Sequence, residues 1–176
     1  MKKLYCVLIS VSILLGSCAK DTHYLDAGAD TGGNAGGGTS TAALEGTKWK
    51  MTSLIFGQEI NGQKNEQDFF PLADDCSKDD LMIFNKDNIF IYDAGATKCE
   101  SSEPQQENGR WTLSGDKKKL TLTSESINNT TDPIIYDIVV TSTKLTLTYK
   151  EKVTVTTGGQ DVVTTIYTIF SFAPHN

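Results

Sequence analysis

Cys76 and Cys99 are two cysteines of the predicted folded domain, and their spacing in the sequence would allow their thiols to react with each other. They flank a predicted hairpin formed by residues 81–84 and 89–92, at nearly equal distances from its turn. In an exported chain, which meets an oxidising compartment, such a pair comes within disulfide range. A pair of free thiols or a metal site is the alternative, but a two-cysteine metal site needs a histidine or further cysteines nearby, and none lies close to this pair in the sequence. We therefore predict a disulfide bond.

Carboxylates are the other candidates for chemistry. One loop region holds Asp68, Asp74, Asp75, Asp79 and Asp80. Their oxygens could bind calcium, but no EF-hand spacing is present, which favours a solvated acidic loop. Glu100, Glu103 and Glu107 lie in a loop with no apolar residue to raise a carboxyl pKa, and the two histidines, His23 and His175, lie near the chain ends. We expect no catalytic site, no bound metal and no cofactor.

The N-terminus carries the pattern of a bacterial export signal. Two lysines precede an apolar run over residues 4–15, which is too short to span a bilayer. Leu15-Gly16-Ser17-Cys18 then resembles the lipobox, in which the cysteine receives a thioether-linked lipid. An ordinary secretory signal with a chance cysteine is the alternative. We predict a signal peptide over residues 1–17 and lipidation of Cys18.

A flexible tether is expected to follow the lipidated cysteine. Residues 18–44 are rich in glycine, alanine and threonine and contain few large apolar side chains, so they cannot repay the entropy of ordering. We predict that the lipid anchor holds the protein at the outer membrane, on either the periplasmic or the cell-surface side.

The expected mature chain is acidic. Removing Lys2 and Lys3 from the 16 basic residues leaves 14 against 22 acidic residues, a net charge of −8. Such an acidic chain is a poor partner for nucleic acid.

The remaining residues, 45–174, predict one all-β domain. Short runs of β-branched and apolar residues, separated by turn residues, are typical of an up-and-down antiparallel barrel or a sandwich. Leu145, Leu147 and Tyr149 alternate with polar residues, and Gly158-Gly159 predicts a tight turn between the two longest strands. No convincing helix appears. The predicted strands are 48–56, 81–84, 89–92, 110–113, 120–124, 134–141, 145–149, 153–157 and 162–172.

A barrel of about eight strands can be filled by its own side chains or can hold one small ligand. The residues expected to line such a cavity are bulky. Trp49 and Trp111 could form the floor of a cavity, although tryptophan at an inward strand position is more often plain core. The facing of residues 81–92 is open. The expected cavity lining is Trp49, Met51, Phe84, Phe90, Trp111, Tyr136 and Tyr149.

Several short motifs resemble the lipocalin-like domains of Bacteroidetes lipoproteins. They are Leu44-Glu45-Gly46-Thr47-Lys48-Trp49, Cys76-Ser77-Lys78-Asp79-Asp80 and Gly109-Arg110-Trp111-Thr112-Leu113-Ser114. The resemblance implies a single calycin-type barrel over residues 44–172. The chain departs from true lipocalins in the spacing of Gly46 and Trp49 and in lacking an arginine near the last strand, so the ligand pocket of true lipocalins is not transferred.

The resemblance and the apolar lining together lead us to expect a non-catalytic binding module for a small hydrophobic or amphipathic molecule. The alternative is a structural or protein-interaction lipoprotein with a packed barrel and no ligand. The sequence identifies no protein partner.

Overall fold

The computed structural model describes residues 41–124, 132–157 and 159–175. The expected signal peptide, Cys18 and residues 18–40 of the expected tether lie outside the described residues. In the described part, the strands are β1 (Lys48–Ile60), β2 (Gln63–Asp68), β3 (Leu81–Asn85), β4 (Ile89–Asp93), β5 (Gln106–Leu113), β6 (Lys119–Thr123), β7 (Ile134–Val140), β8 (Leu145–Thr157) and β9 (Gln160–His175). The helices are short: α1 (Thr41–Leu44), α2 (Asp75–Lys78) and single 3-10 turns at Phe70–Leu72 and Lys86–Asn88.

The strands form one antiparallel sheet that closes on itself. Their order is β2-β1-β3-β4-β5-β6-β7-β8-β9, and β9 also pairs with β1. Leaving β2 aside, the other eight form a ring in which each strand lies beside its neighbour in the chain. The predicted all-β up-and-down barrel of about eight strands is confirmed.

Strand β1 closes the ring because it uses both of its hydrogen-bonding edges. One edge pairs with β9 from Lys48 to Ile60. The other edge pairs with β3 at Lys48–Lys50 and, further along, with β2 from Ile55 onward. A β-bulge between Met51 and Ser53 adds one residue to β1. Bulges bend a strand locally, which suits a strand that changes neighbours halfway along.

Helix α1 lies at one end of the barrel, which we call the closed end, together with the β3–β4, β5–β6 and β7–β8 turns. Leu44 is fully buried in the hydrophobic core, and its carbonyl accepts a hydrogen bond from Trp49 Nε1 at 3.4 Å. The Gly46 amide donates to the Phe84 carbonyl at 2.9 Å. The expected tether ended at residue 44, but the folded domain begins no later than Thr41, because Leu44 belongs to the core.

Side chains from alternate positions fill the interior. The Phe84 ring contacts those of Phe90 and Trp111, with centroids 5.4 and 5.8 Å away. Met82 and Tyr92 also contact this core, whereas Leu81 and Ile83 are buried outside it, which settles the facing of the β3–β4 hairpin. The buried core comprises Leu44, Trp49, Met82, Phe84, Phe90, Trp111, Leu120, Leu122, Tyr136, Ile138, Val140, Leu145, Leu147 and Phe172.

The β1–β2 hairpin was not predicted from the sequence, and neither were the short helices α1 and α2. The hairpin turns at Asn61 and Gly62, both with positive φ (51° and 77°). The Tyr167 ring covers Gly57 so closely that an added Cβ would lie 2.3 Å from it. The Tyr167 hydroxyl then donates to Glu66 Oε1 at 2.7 Å, which holds β2 against β1 and β9. Gly57 is therefore required by close contact with an aromatic ring.

Candidate functional site

Three aromatic side chains mark the end of the barrel opposite α1, which we call the open end. Tyr136 of β7, Tyr149 of β8 and Phe170 of β9 form a cluster, with ring centroids 6.4 Å (Tyr136–Tyr149) and 6.0 Å (Tyr136–Phe170) apart. Along β8, Leu145 and Leu147 are buried, but Tyr149, the next residue on that face, is 40% exposed. The inner face therefore changes from packed to solvent-exposed at Tyr149.

The inner face continues beyond this cluster with apolar and polar residues mixed, since Ile166 of β9 pairs with Gln58 of β1 and Glu151 of β8. Tyr149 pairs with Thr168, which pairs with Phe56 of β1. Ile166, the next inner residue of β9, is 43% exposed. The Phe56 ring meets that of Phe69 edge to face at 5.3 Å, which brings the segment after β2 against this surface. We call the surface formed by Tyr136, Tyr149, Phe170 and Ile166 the aromatic wall.

A carboxyl–phenol pair lies on β3 and β4. The Tyr92 hydroxyl donates a hydrogen bond to Asp80 Oδ2. Tyr92 pairs with Met82, and both contact the core, so Tyr92 points into the barrel and brings the Asp80 carboxylate with it. Burial raises the pKa of Asp80 to about 6, with a further contribution from the charges of Asp79 and Glu103, although the Tyr92 hydrogen bond opposes the shift. Burial also raises the pKa of Tyr92, as does the neighbouring Asp80 carboxylate.

The same inner surface extends across β5 to β6. Glu107 pairs with Tyr92, and Gly109 pairs with Phe90. A Cβ added at Gly109 would lie 2.8 Å from the Cβ of Ser124, so these two residues are adjacent. Ser124 is only 4% exposed, and its hydroxyl has no hydrogen-bond partner among the described residues. We call Asp80, Tyr92, Glu107 and Ser124 the polar wall.

Two loops that border the polar wall are fastened together. Cys76 and Cys99 form a disulfide with Cα atoms 5.1 Å apart, which confirms the predicted bond. Asp79 Oδ2 accepts hydrogen bonds from the amides of Ala96 and Thr97, both at 2.9 Å. These links join the segment before Asp80 to the segment after β4, and so restrict the position of the Asp80 carboxyl group.

The residues expected to line a cavity separate into two groups. Trp49, Phe84, Phe90 and Trp111 lie in the packed core, and Met51 is half-buried against it. Tyr136 belongs to the same buried core and also contacts Tyr149, so these two tyrosines form part of the aromatic wall. The indole of Trp111 donates to the Asn85 carbonyl at 2.9 Å. That all seven line a ligand site stays a prediction.

Sequence reasoning missed the polar wall. Asp80 was assigned to an acidic loop and Glu107 to a solvated one, and Ser124 was only the last residue of a predicted strand. The available signal was the alternation of β4, because Tyr92 follows Phe90 on the same face. The partner that brings Asp80 inward could not be identified without the register of β3 and β4.

The acidic loop residues have separate structural uses. Asp68 accepts hydrogen bonds from the Ser53 hydroxyl (2.9 Å) and from the amides of Leu54 (3.1 Å) and Phe70 (2.9 Å), which fixes the end of β2. Asp75 forms an exposed ion pair with Lys78. Across the described residues, no group of three or more His, Cys, Asp or Glu side chains could hold a metal ion. None of the helices seen in that part of the chain has the length and apolar character needed to cross a membrane.

The closed ring of eight antiparallel strands with an apolar interior defines a lipocalin-like barrel. The sequence model of the family described as "Lipocalin-like domain" matches residues 44–147, so the chain belongs to that family. Such domains are generally non-catalytic binding proteins. A comparison with curated proteins and a comparison with solved structures gave no match.

Proposed function

We propose that this protein is a membrane-anchored envelope lipoprotein whose barrel binds one small hydrophobic or amphipathic molecule at its open end. One observation carries the binding proposal: Tyr149 is partly exposed on the inner face, beside Tyr136 and Phe170. A tyrosine ring exposed within an apolar concave surface is typical of a binding site, because the ring offers a large apolar face and a polar hydroxyl.

The distribution of packing supports the open end as the location. The closed end is filled by Leu44, Trp49 and Phe84, none of which has any exposed surface. Barrels of this size have room for at most one small ligand once part of the interior is filled. A guest would therefore contact the aromatic wall and leave the closed-end core intact.

The binding proposal is tested with N-phenyl-1-naphthylamine, an uncharged fluorophore whose emission rises in apolar surroundings. We expect saturable binding to one site on the signal-free protein. The Tyr149→Ala variant should bind about 5–10-fold more weakly, because one aromatic contact contributes about 1 kcal/mol. The matched control is Ile135→Ala, which removes an exposed apolar side chain from β7, on the face that Tyr136 does not share.

Absence of saturable binding to any apolar probe would count against the proposal and favour the alternative of a packed barrel that serves a structural or protein-interaction role. Equal weakening by Tyr149→Ala and Ile135→Ala would show that the fluorophore binds the outer surface instead.

The anchoring proposal rests on the N-terminal sequence pattern and is tested separately. In bacterial cells we expect the full-length chain in the outer-membrane fraction and the Cys18→Ser variant in the soluble envelope fraction. Mass spectrometry of the N-terminal peptide should show diacylglycerol on Cys18. An unmodified mature N-terminus at another residue would instead indicate an ordinary secretory signal.

A further inference from the structure

We propose that the open end selects amphipathic molecules with a cationic amine head group, which the polar wall binds while the aromatic wall contacts the apolar body. This inference rests on the proposed function and adds the chemical class of the ligand.

The polar wall is one continuous surface. Asp80 is hydrogen-bonded to Tyr92, and Tyr92 pairs with Glu107 on the next strand. Two residues further along β5, Gly109 lies against Ser124, the residue directly after β6. Two carboxylates and two hydroxyls therefore follow one another from the residue before β3, across β4 and β5, to the residue after β6, along the inner face of the barrel.

Ser124 is an independent sign that this surface meets a polar group. A buried hydroxyl without a hydrogen-bond partner is unfavourable, because it has lost its hydrogen bonds to water. Ser124 is 4% exposed, and within the described part of the chain its Oγ has no hydrogen-bond partner. Leu120 and Leu122, the preceding inner residues of β6, are buried in the core, so the alternation of the strand directs Ser124 inward as well. An ammonium N–H donor bound here would give this oxygen a partner.

The aromatic wall is placed across the barrel from the polar wall. In the ring β1-β3-β4-β5-β6-β7-β8-β9, three strands separate β4 from β8 in either direction. Tyr92 of β4 and Tyr149 of β8 therefore stand on opposite sides of the interior. A molecule bound between them would present one side to carboxylates and the other to aromatic rings.

The sign of the charge favours an amine over a fatty acid. Asp80 and Glu107 contribute negative charge to the polar wall, and Glu103 and Asp79 act on Asp80 with the same sign. A ligand carboxylate would be repelled by these groups at a site where water screens charges only partly, whereas an ammonium group would be attracted. A cation can also lie favourably over a tyrosine ring.

The test uses three probes with the same alkyl chain: dodecylamine, dodecanol and dodecanoate. Each displaces N-phenyl-1-naphthylamine from the signal-free protein at pH 7.5, below the concentration at which the probe forms micelles. We expect dodecylamine to bind at least about tenfold more tightly than dodecanoate, with dodecanol between them.

Variants of the polar wall should reduce this preference. Asp80→Asn keeps an oxygen that can accept the Tyr92 hydrogen bond but removes the charge, so the preference for the amine should fall to about threefold or less. Ser124→Ala should weaken dodecylamine binding by about threefold and leave dodecanoate unchanged. The matched control, Asp87→Asn, removes a carboxylate from the exposed β3–β4 turn at the closed end, where asparagine tolerates the positive φ of 62°. It should leave the preference intact.

The outcomes separate the two proposals. Equal affinity for the three probes, or tighter binding of dodecanoate, would overturn the cationic preference while leaving a binding barrel in place. Failure of all three probes to bind would overturn the proposed function itself. A preference that Asp80→Asn and Asp87→Asn reduce equally would reflect the net charge of the protein and would also overturn the inference. Circular dichroism and urea unfolding of each variant confirm that it is folded.

Discussion

The two ends of this barrel are built from the same strands but differ in how completely their inner-face side chains are buried. At the closed end, α1 and the 3-10 turn at Lys86–Asn88 accompany a core in which Leu44, Trp49 and Phe84 have no exposed surface. At the open end, Tyr149 and Ile166 lie partly exposed on the inner face, and the Asp80 carboxyl is drawn inward by a tyrosine. Burial alone explains the closed end, whereas the open end keeps polar and aromatic groups that a stable core would not need.

This difference suggests that stability and binding are divided along the barrel axis. Apolar burial stabilises a fold roughly in proportion to the area removed from water. The closed end therefore holds most of the folding free energy that the core supplies. The open end can exchange contacts with a guest at little cost to the fold.

The largest expected effect comes from removing a ring at the closed end. Phe84→Ala should lower the free energy of unfolding by about 3–5 kcal/mol, because it leaves a cavity among Phe90 and Trp111. Tyr149→Ala, at the open end, should cost under about 1.5 kcal/mol. Urea unfolding of both variants measures the difference. Similar losses in the two variants would contradict the division between the ends.

Helix α1 gives a second test of the closed end. Leu44→Ala should cost about 2–5 kcal/mol, since Leu44 is fully buried. Ala42→Gly, at an exposed position in the same helix, is the control and should cost no more than about 1 kcal/mol. If Leu44→Ala behaved like its control in urea unfolding, α1 would not be part of the folding core.

The disulfide provides a test of whether the open end can be destabilised locally. Replacing Cys76 and Cys99 together by serine should cost about 3 kcal/mol, as expected for a closure over a separation of 23 residues. Because the bond also restrains the segments on either side of Asp80 and Tyr92, hydrogen exchange should increase most at Ala96 and Thr97. Uniformly faster exchange, including the closed end, would show that the bond does not act locally.

The smallest expected effect is a pH dependence of stability that originates at Asp80. Its pKa is raised from 3.8 to about 6 in the folded protein, so below about pH 6 the folded state binds a proton that the unfolded state does not. The contribution of this group to stability therefore increases as the pH falls from 7.5 to 5. The neighbouring charges of Asp79 and Glu103 act in the same direction.

Urea midpoints at pH 7.5 and pH 5 measure this effect. The wild-type protein should gain stability on acidification relative to Asp80→Asn, which cannot take up the proton. An identical change in the two proteins would show that Asp80 titrates as an ordinary exposed carboxyl group.

Much of the barrel was predictable from local patterns. Alternation along 145–149 and 153–157 identified both parts of β8, and Gly158-Gly159 predicted its turn to β9, a pairing that the structure confirms. The two runs proved to be one strand, because Lys150, Glu151 and Lys152 stay in register with β9 although they lack apolar character. Backbone hydrogen bonds to β9 keep these three residues in the strand, although their side chains show no apolar alternation.

Strand β2 was missed for a related reason. Its residues, Gln63–Asp68, are all polar and exposed, so no alternation identifies them. The Asn61-Gly62 pair is a recognisable hairpin signal, but a turn signal alone does not identify an all-polar partner strand. What stabilises the strand is tertiary: Tyr167 reaches across Gly57 to Glu66, a contact between residues that are 101 positions apart.

The sequence by itself determined the fold class and the disulfide, because these follow from local alternation, turn residues and the positions of the cysteines. Only the tertiary structure decided which residues fill the closed end and which polar groups face the interior. Asp80, Glu107 and Ser124 belong to ordinary polar segments of the chain, and they form one wall because the strand register places all three on the inner face of the barrel.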